Sequence, residues 1–306
     1  MLHPPFAKPR AFKRPTLLIV GCGDVGMRVA SLLSHRFRVR ALTSSPARLC
    51  ELRAAGILPV LGDLDRPESL YRLSALGSRV LHLAPPPSQG HTDPRTRHLI
   101  QALARSIDTP LCVYGSTTGV YGDCQGALFD ETRAVAPHTE RAKRRVDAEN
   151  QWRQAVRKNR LRAHILRIPG IYAEDREGSP RARLLRRSVV LTKDDDVYTN
   201  HIHADDLARA CVMALFRGQP QRITHVCDDS DMKMGDYFEW AAQLYGLPPP
   251  ARISRAQAQS QMSAMALSFL NESRRLLNHR LKHELGLRLR YPTLASSLSM
   301  NDEQGP

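Results

Sequence analysis

Gly21-Cys22-Gly23-Asp24-Val25-Gly26 directly follows the apolar run Leu17–Val20 and opens an amphipathic stretch. The three glycines have separate mechanical uses: the first permits a tight turn, the second lets backbone approach a diphosphate, and the third lets a helix pack closely on a strand. A helix starting there offers free N–H groups and positive potential. The spacing therefore predicts that backbone from Gly21 to Gly26, including Cys22, Asp24 and Val25, grips the pyrophosphate of a dinucleotide. About 20 residues beyond the first glycine, an acid would hold the ribose hydroxyls of NAD. The chain instead reads Thr43-Ser44-Ser45-Pro46, flanked by Arg40 and Arg48. Hydroxyls with a guanidinium suit a 2′-phosphate, so the expected cofactor is NADP, with NAD as the alternative, held in part by Ser44, Ser45 and Arg48. Asp63 and Leu64 after the third strand, and Ala84 and Pro85 after the fourth, are the remaining expected cofactor contacts.

Metal and disulfide chemistry find no such support. Six cysteines, Cys22, Cys50, Cys112, Cys124, Cys211 and Cys227, are scattered without a CxxC pair, which argues for a reducing, cytoplasmic setting and no metal. His201 and His203 alternate as on a strand and so face opposite sides, which prevents joint ligation of one ion. Asp205 or Asp206, just beyond them, suits the start of a helix.

The elements that must position these residues can be read from the apolar pattern. The chain has 306 residues, 42% apolar and 25% charged, enough for a substantial core. Apolar strands are expected at 17–20, 37–42, 58–61, 80–83, 111–114 and 164–168, with a further one near His225–Cys227. Helices are expected at 27–35, 49–55, 68–76, 98–106, 139–157 and 271–285, the last ending at Gly286. Short apolar strands alternating with helices mean parallel strands covered on both faces. The fold class is therefore α/β, a doubly wound parallel Rossmann sheet with a smaller C-terminal substrate lobe. Residues 1–14 read as a flexible basic leader and 15–170 as the dinucleotide domain, to which the chain returns at about 200–228. Residues 171–199 and 229–300 read as the lobe, with 174–199 less regular.

A formal charge of +15 attracts anionic partners without naming one. Arg181, Arg183, Arg186 and Arg187 could grip a diphosphate or form a solvated face. No aromatic residue interleaves with them, so nucleic acid is not the expected partner. No apolar run reaches membrane-spanning length, so no membrane partner is expected either.

The segments Leu81-His82-Leu83-Ala84, Gly115-Ser116-Thr117-Thr118-Gly119-Val120-Tyr121-Gly122, Arg167-Ile168-Pro169-Gly170-Ile171-Tyr172 and Asn200-His201-Ile202-His203-Ala204-Asp205-Asp206-Leu207-Ala208 form a set. Together with a tail around Asn278, Gly286 and Tyr291-Pro292, they resemble the atypical and extended short-chain dehydrogenase/reductases of the NAD-dependent epimerase/dehydratase superfamily. The resemblance implies hydride transfer between nicotinamide and a small or nucleotide-linked alcohol or carbonyl substrate. It leaves a homodimer open. In that family a Ser or Thr, a Tyr and a Lys four residues later carry the reaction, and Thr117 matches the first. Counting back from Glu149 puts Arg141 at the Tyr position and Arg145 at the Lys position. A guanidinium does not exchange protons near neutral pH. The catalytic candidates are then Thr117, Tyr121 and Lys143, with Arg141, Arg145 and His201 as candidate substrate contacts. The alternative is an NADP(H)-binding sensor or scaffold without turnover.

Overall fold

A computed structural model of the chain describes residues 14–106, 109–262 and 264–296; apart from Arg14, the expected leader lies outside them. The first half alternates strand and helix in chain order. Its elements are β1 (Thr16–Val20), α1 (Asp24–Leu33), β2 (Arg38–Thr43), α2 (Leu49–Ala54), β3 (Leu58–Leu61), β4 (Arg79–His82), α3 (Pro94–Leu103) and β5 (Leu111–Thr117). Then follow β6 (Leu128–Phe129), α4 (Glu140–Arg157), β7 (Arg162–Ile168), β8 (Gly170–Tyr172), α5 (Pro180–Leu185), β9 (Val190–Leu191), β10 (Tyr198–Thr199) and β11 (His201–His203). The chain closes with α6 (Ala204–Arg217), β12 (Ile223–His225), β13 (Met232–Lys233), α7 (Met234–Tyr245), β14 (Arg252–Ile253), α8 (Arg255–Gln261), α9 (Ala264–Leu270), β15 (Arg275–Leu276) and α10 (His279–His283).

Seven strands pair in the order β12-β7-β5-β4-β1-β2-β3, and every pairing in that sheet is parallel. The sequence explains why. Leu17, Leu18, Ile19 and Val20 are all buried, as a strand covered by helices on both faces requires. On one face α1 buries Gly26, Val29, Ala30 and Leu33 in a core shared with Leu207, Cys211 and Leu215 of α6. On the other, α4 and α3 bury Trp152, Ala148 and Leu99 against Leu18, Val80 and Tyr114. After β7 the chain builds a second apolar cluster around Tyr172, Leu184, Tyr237 and Phe238, and returns to the sheet at β12.

Three expected elements differ. Residues 68–76 form two 3-10 turns, Pro67–Leu70 and Leu73–Ala75. Ser69 Oγ there reaches the carbonyls of Asp63 and Arg66, a local bond that competes with an α-helical ladder. The expected helix 271–285 shrinks to α10, because Arg275 and Leu277 donate their N–H groups to Ala127 and Phe129 and β15 pairs with β6. It also ends earlier than expected, at His283 with Glu284 as its C-cap, although Gly286 does take the left-handed region at φ +66°. Within 174–199 the structure adds α5, β9 and β10.

Asp206 does not cap α6; its carboxylate accepts from the N–H groups of Arg290 and Tyr291 and from Arg209, tying down the tail. His203 provides the cap instead, with Nδ1 accepting from Asp205 N. The six cysteines are free.

Three buried histidines make the fold acid-sensitive. His82, His164 and His225 are each 1% exposed or less, and burial lowers them to about 3, about 4 and about 3. An unfolded histidine titrates near ~6.5. The unfolded chain therefore binds more protons below that value, and the stability present above it is lost as pH falls toward the folded values. Burial also lowers His201 and His203, while it raises Asp228, to about 8, together with Glu131 and Asp196, and these carboxyls oppose the trend. At about 1.4 kcal/mol per group and pH unit, the histidines outweigh the carboxyls and stability should fall by a few kcal/mol, on the order of 2–4, over the first units below about pH 6. Urea midpoints at pH 7.5 and 5.5 measure this; equal midpoints would contradict neutral buried imidazoles.

Candidate active site at the carboxyl edge of the sheet

The glycine turn leaves β1 at the carboxyl edge. Gly21 has φ +88°, and a Cβ there would lie 2.3 Å from Ala84 N, so only glycine lets the turn rest on the end of β4. A Cβ on Gly26 would meet Gly21 O at 3.2 Å and Ile19 Cγ2 at 3.3 Å, whereas one on Gly23 would meet nothing within 4 Å. No side chain caps α1 at Gly23. An open, uncapped helix start fits a diphosphate, as the spacing predicted.

The other expected cofactor residues gather at the same edge with mixed roles. Arg48 Nη1 donates to Cys22 O at 2.8 Å, while its other nitrogens hold Glu51; this fixes a guanidinium against the turn. Ser44 is exposed beside it, and Ser45 N donates to Thr43 Oγ1. Asp63 Oδ1 accepts from Asp65 N, closing its own turn. Cys22 and Leu64 bury their side chains in the two sheet-face cores, so only their backbone borders the edge. Pro85 O receives Arg95 at 3.3 Å. Asp24 pairs with Arg28 at 2.9 Å and with Arg176. Arg28 also reaches Asp175 and Asp205, each at 2.5 Å, which clips the loop after β8 onto the first turn of α1.

Thr117 ends β5, in register with Ile168 of β7. Its Oγ1 accepts from Gly119 N at 3.2 Å, and it lines a cleft of about 1020 Å³ between the sheet edge and the second apolar cluster. Seven arginines and one carboxylate, Glu272, line that cleft. A Cβ on Gly119 would sit 3.6 Å from Thr117 Oγ1 and 3.9 Å from Glu272 Oε2, so hydroxyl and carboxylate both lie within 4 Å of one position beside Gly119. Glu272 pairs with Arg274 at 2.7 Å. Arg145 donates to Tyr114 Oη at 3.0 Å and Gly115 O at 2.8 Å. Arg141 lies over the Phe269 ring. Burial, then Arg145, lowers the pKa of Arg141, with Glu272 opposing in part. Arg141, Arg145, Arg183 and Arg187 make no ion pair with a carboxylate among the described residues.

The structure does not bring Tyr121 and Lys143 to this cleft. Tyr121 is 1% exposed. Its hydroxyl meets His225 Nε2 at 2.5 Å and receives Arg167 at 2.6 Å, and burial pushes it up to about 12. Lys143 points to solvent and pairs with Glu140 at 2.9 Å. Sequence position put both near Thr117, but the turn after β5 buries one and the helical phase of α4 turns the other outward. Arg141 and Arg145, one turn apart, do face the cleft. His201 lines it too, stacked on Tyr237 at 4.0 Å, while His203 stacks on Tyr291 on the other side. His201 is held neutral, at about 3, by burial and by Arg183. Sequence reasoning missed Glu272, Arg274 and Arg176. None sits in a motif, and Glu272 falls where a helix was expected.

A family model described as NAD(P)H-binding matches residues 21–217. The chain belongs to that NAD(P)H-binding family, and a nicotinamide dinucleotide is its cofactor class. Among solved structures, a functionally unknown conserved protein from Silicibacter pomeroyi is 28% identical, covers 95% of this chain and 99% of its own, and superposes with a TM-score of 0.78. A dTDP-glucose 4,6-dehydratase from Streptomyces venezuelae with NAD bound is 20% identical over 94% of this chain and 97% of its own, TM-score 0.73. A UDP-glucose 4-epimerase from Thermotoga maritima with UDP-glucose is 17% identical over 94% and 99%, TM-score 0.74. The fold is that of the NAD-dependent epimerases and dehydratases, as the resemblance implied. Curated proteins gave no match. No helix among the described residues is long and apolar enough to cross a membrane, and no cluster of metal-ligating side chains occurs among them.

Proposed function

We propose that the protein is an NADP-preferring oxidoreductase or epimerase-like enzyme acting on a small anionic alcohol or carbonyl compound. The observation that supports this best is the cleft itself. Thr117, one carboxylate and several guanidinium groups without counter-ions share the carboxyl edge of the sheet with an open helix start. A bound nicotinamide gives or takes a hydride. The chain's residues do the rest. Arg141 and Arg145 hold an acid group of the substrate, the Thr117 hydroxyl orients the reacting oxygen, and Glu272 exchanges its proton. The apolar cluster around Tyr172, Leu184, Tyr237 and Phe238 walls the cleft on the side away from the sheet. Binding without turnover is the second reading, favoured by guanidinium groups standing where the family places Tyr and Lys.

Arg48 carries the cofactor preference, because its fork already lies against Cys22 O and would exchange Glu51 for a 2′-phosphate. Titration with NADPH and NADH, followed by nicotinamide fluorescence, should show saturable binding with NADPH tighter. Arg48→Ala should weaken NADPH by about tenfold or more and NADH by less than about threefold, one charge-assisted bond being worth ~1.5–3 kcal/mol. Saturation by neither nucleotide would overturn the proposal. Equal losses for both would overturn the preference.

A further inference from the structure

Arg183 is a cation in search of a partner. It stands on α5 with its guanidinium 4.2 Å over the Phe238 ring, and the side chain makes no hydrogen bond or ion pair with a described residue. Burial lowers its pKa; the Tyr237 phenol and a second cation, Arg186, act on it as well, and it in turn acts on His201. Beside it, Tyr237 Oη and His201 Nδ1 are buried without a hydrogen-bond partner. Behind these rings Tyr172 and the Asp228 carboxyl hydrogen-bond to each other. Burial holds the proton on Asp228 up to about pH 8, so this carboxyl does not balance the guanidinium at neutrality. An unpaired buried hydroxyl beside a partly desolvated cation is costly when left alone. An anionic oxygen entering from the cleft would satisfy both.

Arg141 and Arg145 stand on another wall of the same cleft, on α4 beside Thr117. We propose that Arg183, stacked on Phe238 with the Tyr237 hydroxyl beside it, holds a second anionic group of the ligand. The molecule bound here then carries two anionic groups, one on Arg141 and Arg145, the other on Arg183. A phosphorylated hydroxy or oxo acid has this chemistry. The inference rests on the anionic-substrate reading above and adds the number and placement of the charges.

Calorimetric titration tests it on the full chain saturated with NADP, so that the glycine turn does not take up the probe; cofactor binding is recorded first and separately. The probes are inorganic phosphate, with one anionic centre, and 3-phosphoglycerate, with two. Phosphate should bind at two places and 3-phosphoglycerate once, more tightly. Arg183→Gln and Arg141→Gln should each weaken 3-phosphoglycerate about ten- to hundredfold, while each removes one phosphate equivalent. Arg183→Lys keeps the charge and should recover part of the loss. Unchanged 3-phosphoglycerate affinity in Arg183→Gln, with a loss in Arg141→Gln, overturns the second site and leaves the anionic-substrate reading standing. Absence of any anion binding to the NADP-loaded native protein overturns both. Absence of NADP saturation at the first step overturns the cofactor reading instead.

Discussion

Glu272→Gln should lower kcat by about a hundred- to ten-thousandfold, the range for losing a positioned proton-transfer group, while changing cofactor and anion affinity only a few-fold. The reason is that most polar residues of the cleft are poorly suited to proton exchange; Tyr198, which also lines it and carries Arg275 over its ring, is the control to replace beside Glu272. Guanidinium groups do not give up protons near neutrality. Tyr172 and Tyr237 are pushed upward by burial and keep theirs. His201, lowered to about 3, does not take one. Tyr121 is shut behind the sheet edge by Arg167 and His225. Glu272 is the carboxylate that lines the cleft, with its Oε2 and the Thr117 hydroxyl both within 4 Å of one position beside Gly119. Glutamine keeps the shape and can still bond to Arg274, so a fall in kcat without a rise in KM would identify proton exchange rather than packing. Oxidation of NADPH against a panel of phosphorylated and carboxylated ketones and aldehydes supplies the assay. Turnover retained by Glu272→Gln would remove it from the mechanism. A native protein that binds NADPH and oxidises it with none of the panel would favour the sensor reading.

Much of this architecture was legible because it rests on local chemistry. The glycine spacing predicted a turn whose geometry depends on Gly21 at positive φ and on open space at Gly23. The apolar runs predicted strands buried on both faces, which the order of seven parallel strands shows. The site was less legible, since a cleft is assembled from side chains whose direction depends on tertiary packing. Lys143 and Arg145 are two residues apart on α4, yet one reaches solvent and the other Tyr114. Helical phase alone does not say which face meets the sheet. Glu272 was invisible for a different reason. Its segment has helical periodicity, but Asn200 accepts from Leu276 N and donates to Arg274 O, and this tertiary tie pulls the chain out of the helix. Tyr121 carried the family's local sequence and still proved structural, because the groups that capture its hydroxyl come from 46 and 104 residues away.

That capture belongs to a buried network whose rupture should be the largest stability effect. Arg167 and Glu149 are 1% and 2% exposed and are joined by two hydrogen bonds of 3.0 and 2.7 Å. Ser116 Oγ donates to Glu149 at 2.7 Å, and Arg167 passes on to Tyr121 and His225. Glu149→Ala leaves Arg167 charged in a dry interior and should destabilise the protein by about 3–5 kcal/mol, as a severed buried ion pair does. Glu149→Gln, which keeps one acceptor, should cost less. The double replacement Glu149→Met with Arg167→Met removes both charges together and should be far milder than either single change, since desolvating the pair offsets most of its attraction. Urea unfolding of the native protein, Glu149→Met, Arg167→Met and the double variant forms a cycle in which a strongly non-additive result is expected. Additive losses would mean that the two groups act independently. The network ties α4 to the ends of β5 and β7, so a surviving Glu149→Gln protein should also show weakened anion binding. Arg141 and Arg145 ride on that helix, and Thr117 is the next residue after Ser116. A variant that loses stability while holding anion affinity would separate the support of the fold from the support of the cleft.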